Sequence, residues 1–271
     1  MVFHPDAEFP VAMLELYHGG PGANSLKALL PLKEKGLEFT SHVLNLLQFE
    51  QHEPWFVKIN PNAQVPVLVH DGKVLTESTV INEYVDETFQ GIPLRPADAY
   101  GRAQMRVWTK FVDEYFCPAL SFLGWHAMIR TAVRDLSPAE FEAKVQRIPL
   151  KEQRDKWRES AAQVWTPQQL DDWRRRVRAS IQRMEQGMAG PWMLGSQFTL
   201  ADVSLFSMLI GMPERYADIV NQKGSPRVVD WYARMMERPG VKAALAIPRP
   251  SREFLETQQK AEAAARGHPA G

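Results

Sequence analysis

The stretch NPNAQVPVLVHDGKVLTESTVINEYV, Asn60 to Val85, changes its hydrophobic period half-way along. Its first part is an apolar run (PVLV), a turn (HDGK) and a second run (VLTE), which reads as a β-hairpin. From Ser78 the period lengthens. STVINEYVDETF (78–89) reads as an amphipathic helix, with Ser78 or Thr79 available to cap it. Pro66 leads the hairpin, and the pair Glu77-Ser78 stands where the hairpin hands over to the helix.

Upstream, LELY (14–17) reads as a strand. HGGPGANSLKALLPLKEKG follows, a glycine-rich loop and then a helix with Gly36 as its stop. Pro31 is expected to kink that helix or pinch its register. EFTSHVLNL (38–46) reads as a second strand and EPWFVKINP as a short helix ending near Asn60. The order β-α-β-α-β-β-α makes a mixed four-stranded sheet, an α/β fold of thioredoxin-like type. Downstream, QGIPLRPADAYG (90–101) is a Gly/Pro-rich linker, and beyond it nearly everything reads helical. The long helices are GRAQMRVWTKFVDEYF, PQQLDDWRRRVRASIQRMEQGM and one opening at FTLADVSLFSML; the charged segment 130–165 reads as a loose excursion. The expected organisation is an α/β domain at 13–90, an all-α domain at 100–250, and flexible tails at 1–12 and 251–271.

Composition narrows the function. The chain has 271 residues, with 32 Lys+Arg against 32 Asp+Glu, so no net field favours nucleic acid or an anionic membrane. No apolar run reaches transmembrane length, and MVFHPDAEFPVAM has neither the cationic nor the apolar region of a secretory signal. A single cysteine, Cys117, rules out a disulfide framework and suits a reducing cytoplasm. The seven His form no visible metal-ligand cluster, so no metal is expected.

The loop before the first helix carries the chemistry. Gly19, Gly20 and Gly22 permit backbone shapes and close approach that a side chain would block. Asn24 and Ser25 then open the helix, either as ordinary cap residues or as donors to an anion at the positive end of the helix dipole. Further along, Thr199 and Asp202 have capping-box spacing, with Phe198 placed as a staple.

Three motifs in order, NPNAQVPVL (60–68), LTESTVINEYV (75–85) and FTLADVSLF (198–206), resemble the glutathione S-transferase family over residues 13 to about 245. GPGANSLK, FEQH, HDGKV, TESTVI and RVWTKFVDEYF further resemble its bacterial β-etherases of the LigF type. The resemblance implies glutathione as co-substrate. Val65 and Pro66, joined by a cis bond, would pair with its cysteinyl unit, beside Gln64. Glu77 and Ser78 would hold the γ-glutamyl end, and His52, assisted by Lys58, the glycyl carboxylate. Ser25 first and Asn24 second would stabilise the thiolate, with Tyr17 structural. Trp108, Tyr115, Phe116 and Trp125 would line the pocket for an aromatic substrate. The implied reaction is displacement of a phenolate from the β-carbon of a lignin-derived β-aryl ether ketone, β(S)-selective and with inversion. The alternatives are a general glutathione S-transferase or a non-catalytic binding protein. The resemblance also implies a homodimer, with a heterodimer of related chains as the variant.

Overall fold

The structure, a computed structural model, describes residues 13–133, 136–162 and 165–248. The expected tails, 1–12 and 251–271, lie outside the described residues.

The first half builds β1 (Leu14–His18), α1 (Ala23–Glu34), β2 (Thr40–Val43), α2 (Pro54–Ile59), β3 (Val67–His70), β4 (Lys73–Leu75) and α3 (Ser78–Thr88). Strand order is β2-β1-β3-β4. β1 runs parallel to β2 (Leu16 opposite Ser41) and antiparallel to β3 (Leu16 opposite Leu68). The hairpin turns at Asp71-Gly72, both at positive φ (49° and 76°), the conformation its DG dipeptide favours. Leu14, Leu16 and Leu68 bury their face of the sheet against Leu26, Leu29 and Leu30 of α1 and Ile81 and Val85 of α3. Phe56 of α2 covers the other face with Leu44 and Val67.

α4 (Ala99–Phe111) begins the helical half, capped by Asp98, whose carboxylate accepts the Gly101 N–H at 2.8 Å. A π-helical turn, Val112–Phe116, joins it to α5 (Cys117–Val133). Then come α6 (Pro138–Gln146), α7 (Lys151–Ala162), α8 (Pro167–Gly187), α9 (Leu200–Leu209), α10 (Met212–Arg215), α11 (Pro226–Met236) and α12 (Pro239–Leu245). α9 is buried along its whole length. Its capping box forms: the Asp202 carboxylate accepts from Thr199 N–H and also from Met193 N–H and the Trp231 indole. No helix among the described residues is long and apolar enough to cross a membrane.

Four readings need correction. The segment 130–165 is not loose. It folds as α6 and α7 and docks through Trp157, Val145 and Ile148 onto Phe49 of the sheet half. Charge masked the pattern, because only one narrow stripe of each helix is apolar. The second strand is short, Thr40–Val43. α1 runs unbroken through Pro31 and is capped by Gly22, so Asn24 and Ser25 lie inside the first turn and do not cap it through their side chains. α3 begins at Ser78 after Glu77 at φ 65°, and neither Ser78 nor Thr79 caps it.

Candidate active site

The site assembles where two helices begin. β1 ends in His18, whose ring is fully buried. Nδ1 accepts the Gly20 N–H at 3.0 Å, which leaves Nε2 protonated and donating to Ser41 Oγ at 2.7 Å. Burial, helped by the nearby His42, lowers the His18 pKa to about 4, so the ring is neutral. His18 therefore shapes the glycine loop. Gly20 needs its freedom (φ 91°), and a Cβ on Gly19 would lie 2.6 Å from Leu46 Cδ1. Gly22 needs neither, since its φ of −161° is ordinary extended backbone and nothing crowds it.

Past the loop, Ser25 Oγ accepts the Gly19 N–H at 2.9 Å. A hydroxyl that accepts still has one hydrogen to give. Asn24 is half-buried, and its Nδ2 lies 3.8 Å from Cys117 Sγ at the start of α5. The first turn of α1 thus meets the helical half, with the Asn24 amide against Cys117. Burial pushes the Cys117 thiol up, which keeps it protonated.

A fully buried lysine ties this helix to its neighbour. Lys27, one turn after Asn24, donates to Thr79 Oγ1 and to Asp113 Oδ1, each at 2.5 Å. Thr79 in turn donates to Asp113 Oδ2 at 2.6 Å. The starts of α1 and α3 are thereby clamped to the π turn. Sequence reading missed this triad. A lysine on the apolar face of α1 was the available signal, but its two partners lie far along the chain.

Beside the clamp, Ser78 is buried at the start of α3 and Glu77 is exposed. The Val65–Pro66 bond is cis. Gln64 is exposed, with its carbonyl held by Asn60 Nδ2 at 2.8 Å. A buried hydroxyl and an exposed carboxylate thus stand together at the start of α3.

Other expected residues fall elsewhere. His52 is buried beside Phe49, and burial, with nearby Arg147, lowers its pKa to about 4. It is a neutral ring beneath the loop, not a cation offered to a carboxylate. Lys58 is exposed on α2. Phe116 is wholly buried, as core and not pocket lining. Trp108 lines a groove of about 420 Å³ with Gln182, Arg183 and Gly187, which contains none of the residues above. Tyr115 is exposed, stacked on Phe111 and approached by Arg176. Trp125 lies on α5, and its side chain is outside the described ones. Tyr17 stacks on His42 at 4.3 Å, on the sheet face covered by α2.

The model of the glutathione S-transferase N-terminal domain matches residues 12–87, and that of the C-terminal domain matches 167–234. Protein LigF of Sphingobium sp. (strain NBRC 103272 / SYK-6) is 44% identical over 236 residues, 84% of this chain and 91% of that one.

The chain belongs to the glutathione S-transferase family.

The crystal structure of the Sphingobium β-etherase LigF superposes with a TM-score of 0.82 at 43% identity, covering 86% of this chain and 98% of that one. A Pseudomonas fluorescens family member with two glutathione molecules bound shares the fold, with a TM-score of 0.65 at 21% identity over 90% of this chain and 96% of that one.

Proposed function

We propose that this chain is a glutathione-dependent β-etherase that displaces a phenolate from the β-carbon of lignin-derived β-aryl ether ketones. The observation that carries this is the 44% identity to LigF over most of both chains, with the corresponding crystal structure described as a β-etherase. Glutathione is the co-substrate.

The residues divide the work. The γ-glutamyl end lies at Glu77 and Ser78, where the free N–H groups of α3 receive a carboxylate. Gln64, Val65 and Pro66 align the cysteinyl unit as an added strand. Its sulfur meets the positive end of α1, the Ser25 hydroxyl and the Asn24 amide. Together these favour thiolate, the nucleophilic form. The sulfur attacks the β-carbon, activated by the adjacent ketone. The C–S bond forms as the C–O bond breaks, leaving a β-glutathionyl ketone and a phenol. Selectivity for the β(S) enantiomer, with inversion, belongs to the same reading and is supported by likeness to LigF-type enzymes alone. The pocket wall includes Tyr115, an exposed side chain of the π turn.

Chiral chromatography of a racemic guaiacylglycerol-type β-aryl ether ketone, incubated with enzyme and glutathione, tests this. Guaiacol release with the β(R) enantiomer left behind is the expected result. No release from a chain that still conjugates a chloro-nitro-aromatic would make it a general transferase instead.

The working unit in this reading is a cytoplasmic homodimer. Val74 on β4, Val80 on α3, and Tyr100 and Val107 on α4 are exposed apolar side chains on elements that a family dimer would cover. Light scattering is expected to give twice the mass of the chain, and Val80→Glu with Val107→Glu to halve it.

A further inference from the structure

α1 and α3 share one core, with Leu26, Leu29 and Leu30 of the first and Ile81 and Val85 of the second in it. Both helices begin without a side-chain cap, since neither Gly22 nor Glu77 supplies one. Their first N–H groups are left without that partner.

Lys27 joins the two starts. It is wholly buried, and its ammonium donates to Thr79 Oγ1, on the second residue of α3, and to Asp113 Oδ1 of the π turn, each at 2.5 Å. Thr79 gives its own hydrogen to Asp113 Oδ2 at 2.6 Å. Each pair in this trio is directly bonded. The start of α3 therefore cannot shift against α1 or the π turn without breaking a hydrogen bond.

On stability grounds alone a cation is a poor group to bury here. The positive ends of two helix dipoles are close by, and an apolar side chain of similar volume commonly serves as well as a buried ion pair. Asp113 offsets the charge, but it is 40% exposed, so water weakens its hold. Two further anions belong at these starts when glutathione is bound: its thiolate at α1 and its γ-glutamyl carboxylate at α3. Lys27 lies one turn from Asn24 on the first helix and is bonded to the residue next to Ser78 on the second.

We propose that Lys27 is the positioning residue of the glutathione site. It fixes the separation between the start of α1, which meets the sulfur, and the start of α3, which meets the γ-glutamyl carboxylate, so that one tripeptide reaches both. This rests on the placement of glutathione given above. Being wholly buried, Lys27 acts through α1 and Thr79 and not by contact with the ligand. Two anchors held at a fixed spacing spare the bound tripeptide the ordering cost that loose anchors would add.

The test measures kcat/KM for conjugation of a β-chloro ketone, which needs no ether cleavage, with two thiols. Glutathione reaches both helix starts; cysteinylglycine lacks the γ-glutamyl residue and reaches only α1. Lys27→Met is expected to lose about 100-fold with glutathione, the scale of an ångström-sized misplacement, and only a few-fold with the dipeptide. Thr79→Val keeps both charges and removes the bridging hydroxyl. It is expected to lose about 10-fold with glutathione, the worth of roughly one hydrogen bond, and Thr79→Ser to restore the rate. The Thr79 pair carries the test if Lys27→Met does not fold. Equal losses with both thiols overturn the proposal, because a destabilised enzyme would show them, as does a Thr79→Ser variant no better than Thr79→Val. A wild type that uses the dipeptide as well as glutathione overturns the placement of glutathione across the two starts, and the role of Lys27 with it. Phenol release from a methoxyphenoxide ketone is read separately, which tells failure of the ether-cleaving reading apart from failure of this one.

Discussion

Ser25 Oγ already accepts the Gly19 N–H, so its one hydrogen is what a bound sulfur receives. Ser25→Ala is expected to lower kcat/KM about 100-fold, the usual scale for removing one aimed donor, and to raise the pKa of bound glutathione by about one unit. Titrating thiolate absorbance in the binary complex measures the second effect. Asn24→Ala is expected to do less, and the reverse order would make Asn24 the principal donor. His18 and His52 act on stability instead. An unfolded imidazole takes up its proton near 6.5, whereas each of these rings does so in the folded chain only at about 4. Between those values the unfolded chain binds more protons, so stability rises with pH through the window and is lost as pH falls. At pH 5 the loss is about 2 kcal/mol per ring. Calorimetry from pH 7 to 5 is expected to show a falling Tm, flattened in a His18→Gln, His52→Gln variant. The glycine loop and the helix that opens after it were legible, because loop glycines before a helix are a local signal. His52 was misread, since its burial under Phe49 depends on chain folded over it from far away.

Between elements, the Lys27 clamp joins α1, α3 and the π turn. Its energetics are asymmetric, because Lys27 is fully buried while Asp113 is 40% exposed. Asp113→Asn leaves a buried ammonium without its counter-charge and is expected to cost about 3 kcal/mol. Lys27→Met leaves only a carboxylate that water reaches, and is expected to cost less. Urea denaturation of the two variants and of the double variant checks the order; the reverse order would show that the clamp is dominated by packing. Helix starts were harder to read than helices. The Asn24-Ser25 and Ser78-Thr79 pairs look like caps, yet Gly22 and Glu77 hold those positions through backbone conformation alone.

At the scale of the molecule, α6 and α7 join the helical half to the sheet half through Phe49. Trp157 is their largest anchor, buried between Phe49, Ile129, Val145 and Ile148. Trp157→Ala is expected to cost about 3–5 kcal/mol, as large-to-small changes at an aromatic core site do. Hydrogen exchange is expected to rise first in α6 and α7, with the sheet core retaining its protection. Uniform loss of protection would mean that the unit folds as one with the whole chain.

The sequence by itself determined the mixed sheet, the hairpin at HDGK, the capping box at Thr199 and Asp202, and the family. Each rests on contacts between near neighbours or on motifs whose residues share one short segment. Tertiary structure alone decided that His18 is neutral, that Lys27 is paired with Asp113, and that Phe116 is core. These depend on which distant surfaces meet. Burial and electrostatic partners are set by that meeting, and no local period or spacing encodes it.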